Sequence, residues 1–346
     1  MTKLSICQVP YTTLNLHENG DVFLCCDAWV SNYTVGNIFE CSFDEIWNGK
    51  KAQEFRKQFC TDNYKYCKLD ICQKRNYSKI EATEKAKDYP ETIVFTYDPV
   101  CNIDCLFCAI DKSTNTIKFD EKINDWLPDI AKNAKIISLN GYGEALASKH
   151  SRKVIQKCIE INPNVKFEIQ TNGILANKKN FEILGITNNI ERLLISVHAT
   201  EEKTYNKLIK NGNFKAVMGN LKELADLKEQ GIIPYIEIKF VITALNYKEM
   251  VKIAHLAKNY SMKITFLNLV WSDICLDLDK YLDVTQPQHP EYNEFLNIIK
   301  HPIFKEDFIN INKELYKRKK VSLLQRLKNK IIFSKETKNF STTDNT

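Results

Sequence analysis

No run in the 346 residues approaches the ~20 consecutive apolar positions that a membrane-crossing helix needs, so the sequence offers no candidate span. The opening stretch, Met1 to Tyr11, is too polar and too short for a secretory signal, and the expected location is cytoplasmic. A basic body is missing as well. Lys and Arg number 49 against 43 Asp and Glu, and from Ile303 onward eleven basic residues face five acidic ones, leaving 38 against 38 before that point. Binding a nucleic-acid strand or duplex normally needs a basic face, so no nucleic-acid partner is expected for the body of the chain. Composition is otherwise that of a globular protein, 44% hydrophobic and 27% charged. The length suits two domains or one large α/β domain.

Cysteine is the residue in excess. There are twelve, seven within residues 7–72, three at 101–108, and beyond them only Cys158 and Cys275. Without a secretory signal, so uneven a distribution argues for metal or cluster ligation rather than a disulfide framework. The densest group is Cys101-Asn102-Ile103-Asp104-Cys105-Leu106-Phe107-Cys108, which follows an extended run and Pro99. Three thiolates can hold three irons of a [4Fe–4S] cubane, and the missing fourth leaves one iron open to a ligand, as in an open catalytic metal site. Cys158 falls among Val154, Ile155 and Ile159 on a helical stretch and reads as core. Cys41 reads as a turn or core residue. Cys275, beside Trp271 and Asp273, reads as a buried thiol, with hydrogen-atom donation or capping of a cluster as the alternatives.

Residues 1–75 read as a small cysteine-rich α+β module. An alternating stretch from Tyr11 to Leu16, a turn at His17-Glu18-Asn19-Gly20-Asp21 and a return through Val22-Phe23-Leu24 predict a hairpin, with Cys7 entering and Cys25-Cys26 leaving. Ser42 begins a capped helix, and Cys60, Cys67 and Cys72 close the module. Residues 76–90 are a polar linker, and over 91–300 strands alternate with helices. Candidate strands are 92–97, 135–139, 165–171, 192–197, 235–242 and 263–269, with amphipathic helices such as 151–161 and 213–230 between them. Six such units predict a partial parallel barrel with ligands at the C-terminal ends of its strands. Glu168, Gln170 and Asn172 share a strand face, as do Ser196 with His198 and Glu237 with Lys239. Polar inward faces fit a hollow barrel around a polar ligand, the alternative being the solvent side of a sheet. Residues 301–346 read as a basic helical tail, disordered at its end. Over 313–330, Tyr316, Leu323, Leu324, Leu327 and Ile331 fall near one helical face, which suits a membrane surface, a partner protein or docking on the barrel.

Two known families are matched by these residues. The CxxxCxxC spacing of Cys101, Cys105 and Cys108, with Phe107 before the last cysteine, resembles the signature of the radical S-adenosylmethionine superfamily. Further markers of that superfamily follow in order. Gly141-Tyr142-Gly143-Glu144 resembles its GGE motif, followed by Gln170-Thr171-Asn172-Gly173, Ser196-Val197-His198 and Asn246. Cys7, twelve residues, Gly20, four residues and Cys25 resemble the opening of SPASM/twitch auxiliary-cluster domains. Gly36-Asn37-Ile38, Asp44-Glu45-Ile46-Trp47-Asn48-Gly49 and Phe55-Arg56 are similar to their middle section, placed here ahead of the barrel rather than after it.

The resemblance implies an α/β fold with a partial (β/α)6 TIM-like barrel, and an oxidoreductase dependent on iron–sulfur and S-adenosylmethionine. It implies a [4Fe–4S] cluster with an open iron on Cys101, Cys105 and Cys108, and one auxiliary [4Fe–4S] cluster on Cys7, Cys25, Cys67 and Cys72. Cys26 or Cys60 is the alternative to a chosen auxiliary ligand, and a structural zinc site is the alternative metal. Gly141 and Gly143 let backbone approach a ligand closely, and Glu144 suits its ammonium group. Phe107 offers an aromatic surface for adenine, and Asn172 and Ser196 are short polar groups suited to the methionyl or ribose part.

His198 and Tyr142 are the candidate catalytic residues, with a structural role as the alternative for each. The implied reaction is reductive cleavage of S-adenosylmethionine to a 5′-deoxyadenosyl radical that takes a hydrogen atom from substrate. The expected substrate is a small polar molecule, such as a sugar or aminocyclitol alcohol, because no N-terminal peptide-recognition domain is apparent. An auxiliary cluster that accepts an electron makes the net reaction an oxidation. A reductase, or a flavodoxin or ferredoxin, is the expected electron donor. The alternatives are a peptide-modifying maturase and a non-catalytic iron–sulfur carrier or sensor. Gly141, Gly143, Glu144 and Asn172 weigh against the last, since a carrier needs no cofactor cradle.

Overall fold

The computed structural model describes residues 4–26, 29–31, 33–61, 63–69, 72, 77–80, 86–108, 110, 117–140, 142–269, 282–312 and 315. Gly141, Cys275 and, apart from Leu315, the expected tail helix lie outside the described residues. In order, the chain forms β1 (Leu4–Cys7), α1 (Val9–Thr12), β2 (Thr13–His17), β3 (Asp21–Phe23), β4 (Gly36–Asn37), α2 (Phe43–Trp47), α3 (Lys50–Cys60) and β5 (Tyr77–Ile80). It continues through β6 (Thr92–Thr96), β7 (Asp104–Cys105), α4 (Ile117–Asn133), β8 (Ile136–Leu139), α5 (Lys149–Ile161), β9 (Lys166–Thr171), α6 (Lys178–Leu184) and β10 (Ile190–Ser196). Then follow α7 (Glu202–Leu208), β11 (Ile209–Lys210), α8 (Phe214–Glu229), β12 (Tyr235–Val241), α9 (Met250–Asn259), β13 (Lys263–Leu267), α10 (Tyr292–Ile298) and β14 (Ile309–Ile311). Each of the six expected strands of the repeating region is present, shifted by at most two residues.

The chain divides into two compact units. One comprises Met1–Cys101, Ile110–Thr171 and Lys178–Leu193, the other Asn102–Ala109, Asn172–Asn177 and Leu194–Thr346. In the first, the strand order is β4-β3-β2-β6-β8-β9. The pairs β2–β6, β6–β8 and β8–β9 are parallel, while β2–β3 and β3–β4 are antiparallel. Alternation explains the burial: Leu14, Leu16, Ile93, Ile137, Phe167 and Ile169 have no exposed surface. Their cover includes α4, through Ile123 and Ile130, and α5, through Val154, Ile155 and the expected core residue Cys158.

The N-terminal hairpin forms as expected, with Asn15 opposite Phe23 and Leu16 opposite Val22. It is also a direct extension of the parallel strands. Leu14 pairs with Ile93 and Leu16 with Phe95, so the cysteine-rich segment and the first strand of the repeating region share one hydrophobic layer. Phe39 meets Phe119 edge-on at 5.1 Å, and Phe43 stacks on Tyr89 at 5.5 Å. Ser42 starts α2 with a reciprocal cap: its Oγ accepts from the Glu45 amide at 3.4 Å, and Glu45 Oε2 accepts from the Ser42 amide at 2.8 Å.

In the second unit β12, β13 and β14 are parallel neighbours. β14 lies at the start of the segment read as a basic helical tail, ahead of the helix expected over 313–330. Ile309 and Ile311 alternate around Asn310 beside Ile264, Thr265 and Phe266, and Ile311 is buried. A two-stranded ladder, β7 with β11, stands apart from these three strands.

Candidate functional site

The cysteine-rich segment gathers its thiols through the hairpin. Gly20 closes the turn at φ +87°, and a Cβ there would lie 2.5 Å from the Phe39 ring. The Asn37 amide nitrogen donates to the Asn19 carbonyl at 3.0 Å and to the Asp21 carboxylate at 3.1 Å, fixing the return into β3 and hence Cys25. Cys7 ends β1, and Cys67 sits on a bridge to Val30. Burial pushes the Cys25 thiol up to about 12, Cys7 and Cys72 add to the shift, and a hydrogen bond from the Cys26 backbone opposes it. Cys67 is likewise pushed to about 12, first by burial and then by Cys7 and Cys72. The four thiols assigned to an auxiliary cluster, and Cys26, therefore interact with one another. Cys60 faces Tyr11 and lies 4.0 Å from the Arg56 carbonyl.

No disulfide joins the eleven described cysteines. No group of three or more His, Cys, Asp or Glu among the described residues forms a site for a single metal ion. Cys25 and Cys67 are protonated at neutral pH, so ligation by these two must release protons.

Around the Cys101–Cys108 segment, each unit makes its own contacts. In the first, Gly143 has φ +67°, and a Cβ would come within 2.2 Å of the Asp98 carbonyl and 2.7 Å of the Val100 carbonyl. The Glu144 amide donates to the Val100 carbonyl at 2.8 Å, one residue ahead of Cys101. Asp98 steadies that segment: one carboxylate oxygen accepts from the Val100 amide at 3.2 Å and the other from the Ser151 hydroxyl at 2.5 Å. The Glu144 side chain is buried, and its Oε1 accepts from the Leu146 amide at 3.3 Å and the Thr171 hydroxyl at 2.8 Å. Tyr142 lines a small cavity with Tyr97, Asp98 and Ser151.

In the second unit, Cys105 pairs with Ile209 and Asp104 with Lys210. The Leu106 amide donates to the Leu208 carbonyl at 2.8 Å, and the Cys108 amide to the Cys105 carbonyl at 3.1 Å, which curls the segment into a tight turn. Asn172 donates to Asn102 Oδ1 at 2.7 Å and accepts from the Ile174 amide at 3.1 Å, so the end of β9 is tied to the residue after Cys101. Phe107 meets the His198 ring edge-on at 5.0 Å. Ser196 ends β10 half-buried. Asn246 has no exposed surface; it donates to the His198 and Val241 carbonyls, both at 2.9 Å, and stitches the ends of β10 and β12. The β7–β11 clamp and the anchors Asp98 and Asn102 escaped the motif reading, although both anchors flank or lie inside the cysteine motif itself.

His198 is buried, and its Nδ1 accepts from the Val241 amide at 3.1 Å, which leaves the ring proton on Nε2. Burial pushes its pKa down to about 4, so the ring is neutral at pH 7 and presents a donor. The unfolded chain therefore binds the proton more readily between pH 4 and the ordinary value of 6.5, and stability falls as pH drops through that window. The expected loss is about 3 kcal/mol from this group. His198→Asn keeps an acceptor for Val241 and removes the titration, so urea unfolding from pH 7 to pH 4 should show a flatter stability curve for the variant. Parallel curves would exclude His198 as the cause.

Among the described residues, no helix is long and apolar enough to cross a membrane. The family model for SPASM, an iron-sulfur cluster-binding domain, matches residues 7–74, and that for the radical SAM superfamily matches residues 96–258. The FeMo cofactor biosynthesis protein NifB of Methanocaldococcus infernus is 24% identical over 212 residues, covering 54% of this chain and 69% of that protein. A probable GTP 3′,8-cyclase of Saccharolobus islandicus is 25% identical over 173 residues, covering 49% of this chain and 53% of the cyclase. The chain thus spans about half the length of that cyclase. A solved structure of anSMEcpe with bound AdoMet is 19% identical and covers 64% of this chain and 63% of its own, with a TM-score of 0.45.

Proposed function

We propose, for a chain that belongs to the radical SAM superfamily and carries an iron–sulfur SPASM domain ahead of its radical SAM domain, that it oxidises a small polar molecule. When bound, a [4Fe–4S] cluster and S-adenosylmethionine supply a 5′-deoxyadenosyl radical that takes a hydrogen atom from substrate. The chain's own residues have four tasks in this reading. Cys101, Cys105 and Cys108 hold the cluster, on a segment fixed by Asp98, β11 and Asn102. Assigned to the cofactor are Gly143 and Glu144 in one unit, Phe107, Asn172 and Ser196 in the other, and Gly141 by its place in the motif. The neutral His198 orients Phe107 and donates from Nε2, and Tyr142 borders the turn that Gly143 makes. Cys7, Cys25, Cys67 and Cys72 would hold an auxiliary cluster, which would supply an electron acceptor for the oxidation. The electron for cleavage comes from a reductase, flavodoxin or ferredoxin.

The observation that carries the substrate reading lies on β12 and β13. Glu237 is buried, yet it accepts from Lys239 at 2.7 Å, from Tyr235 at 2.9 Å and from Thr265. Lys239 heads the attractions that hold its carboxyl below the usual range against the opposing effect of burial. A costly ionic network on a strand face suits recognition of a polar molecule. The same class is represented by the GTP in the name of the matched cyclase.

The test begins with anaerobic reconstitution, which should load about eight irons, and about four in Cys25→Ala. That variant should still form 5′-deoxyadenosine under dithionite but lose the oxidised product. Deuterium should move into 5′-deoxyadenosine from a labelled polyol or nucleotide and not from a peptide. Transfer from a peptide alone would overturn the substrate class, and equal iron in Cys25→Ala would overturn the ligand assignment.

A further inference from the structure

Arg56 stands in the middle of α3 with none of its surface exposed. Its Nε donates to the Pro10 carbonyl at 2.9 Å and its Nη1 to the Trp47 carbonyl at 2.8 Å. The guanidinium lies 4.5 Å from the Trp47 ring and 5.9 Å from the Tyr11 ring. Nη2 is buried and has no hydrogen-bond partner. The polar partners of the guanidinium are neutral carbonyls, not a carboxylate. Burial lowers its pKa to about 10, which leaves it charged at neutral pH. Among the described residues no carboxylate pairs with it, and a buried cation without a counter-charge is costly enough to call for an anion.

The surroundings indicate where that anion lies. Pro10, which accepts from Nε, follows Cys7 by three residues. Tyr11 interacts with Arg56, Cys60 and Cys7 together. Two residues on from Arg56 along α3, Gln58 is buried; its Oε1 accepts from the Tyr66 amide at 3.0 Å and from the Cys67 thiol at 3.9 Å. Arg56 thus shares its neighbour Tyr11 with Cys7 and Cys60, and lies on the same helix as the Gln58 that meets Cys67. Four thiolates outnumber the positive charge of a cubane core, so a cluster held there is a buried anion.

We infer that Arg56 is the internal counter-cation of the auxiliary cluster, raising its reduction potential and leaving the iron-free domain with an uncompensated charge. The inference rests on the auxiliary-cluster reading but on no step of S-adenosylmethionine chemistry. It is tested in the full chain with Cys101, Cys105 and Cys108 changed to Ala, where only the auxiliary cluster can form. Potentiometric titration followed by electron paramagnetic resonance should place Arg56→Gln at a more negative midpoint than the parent, with Arg56→Lys close to the parent. Thermal unfolding adds a second readout. Iron loading should raise the melting temperature of the parent more than that of Arg56→Gln, and the iron-free variant should melt no lower than the iron-free parent. Equal midpoints in all three proteins would overturn the inference. So would an iron-free Arg56→Gln that fails to fold, because the iron-free domain would then need the charge instead of being burdened by it. Loading well below four irons in the parent background would defeat the auxiliary-cluster reading itself, a result distinct from either of these.

Discussion

A chain with Cys101, Cys105 and Cys108 all changed to Ala is expected to release no 5′-deoxyadenosine from S-adenosylmethionine under dithionite, while remaining folded. The two halves of that expectation have separate grounds. The segment's shape does not come from its thiols. β7 is held by β11, the Leu106 amide by the Leu208 carbonyl, and the Cys108 amide by the Cys105 carbonyl. Asn211 adds a side-chain bond to Asp104 at 2.8 Å, and Asn172 another to Asn102 at 2.7 Å. None of these involves sulfur, and all three thiols are only partly buried, so their loss should change stability by less than about 1 kcal/mol. The chemistry, in contrast, has no substitute. Iron should fall by about four per chain, and circular dichroism should match the parent. Nucleoside release persisting at the parental rate in the folded triple variant would end the assignment of these cysteines. An unfolded variant would end the account of how the segment is held.

Much of the architecture was legible because it repeats. The strands from Thr92 to Leu267 alternate with amphipathic helices, and Leu14, Ile93, Ile137 and Phe167 announce buried positions by their spacing alone. What the sequence does not reveal is which strands are neighbours. Thr13–His17 reads as one arm of a local hairpin, and it is that; it also pairs in parallel with Thr92–Thr96, some 80 residues later. Alternation reports a buried face, not the partner that lies beside it in the plane of the sheet. Short ladders escape for a related reason. Asp104–Cys105 and Ile209–Lys210 are two residues each, below any detectable period.

The candidate site divides along the same line. Its cysteines, glycines and aromatic residue are visible as letters in fixed spacing. The groups that position them are not, because their role lies in where a carbonyl or an amide points. Asp98 is an ordinary acidic residue before a proline until its two oxygens are seen to hold Val100 and Ser151. Arg56 sits in a recognisable dipeptide, yet spacing cannot say that its guanidinium is buried on carbonyls and aromatic rings. Glu144 shows the converse. Its place in the sequence suits a ligand's ammonium group, while its Oε1 accepts from Leu146 and Thr171, which is a scaffold role.

Gly143→Ala is expected to cost more stability than a positive φ alone explains. Gly231 provides the measure. It has φ +72°, and a Cβ there would meet nothing within 4 Å, so Gly231→Ala should cost about 1 kcal/mol for left-handed backbone and little else. Gly143 has nearly the same φ, +67°, but its Cβ would press to 2.2 Å from the Asp98 carbonyl and 2.7 Å from that of Val100. Those are backbone atoms, and Asp98 cannot swing aside without surrendering its bonds to Ser151 and Val100. Relief must come from moving the turn or the 98–100 segment, which breaks the 2.8 Å bond from the Glu144 amide to the Val100 carbonyl. Together the strain and the lost bond put Gly143→Ala at roughly 3 kcal/mol or more in urea unfolding. Because Cys101 follows Val100 directly, the displacement should also reach function. Iron on the Cys101–Cys105–Cys108 site should drop, and 5′-deoxyadenosine release should fall at least about tenfold, while Gly231→Ala retains both. Equal unfolding costs for the two variants would show that the close approach at Gly143 does not hold the segment. A large cost with unchanged nucleoside release would show that the turn supports the fold without supporting the cluster.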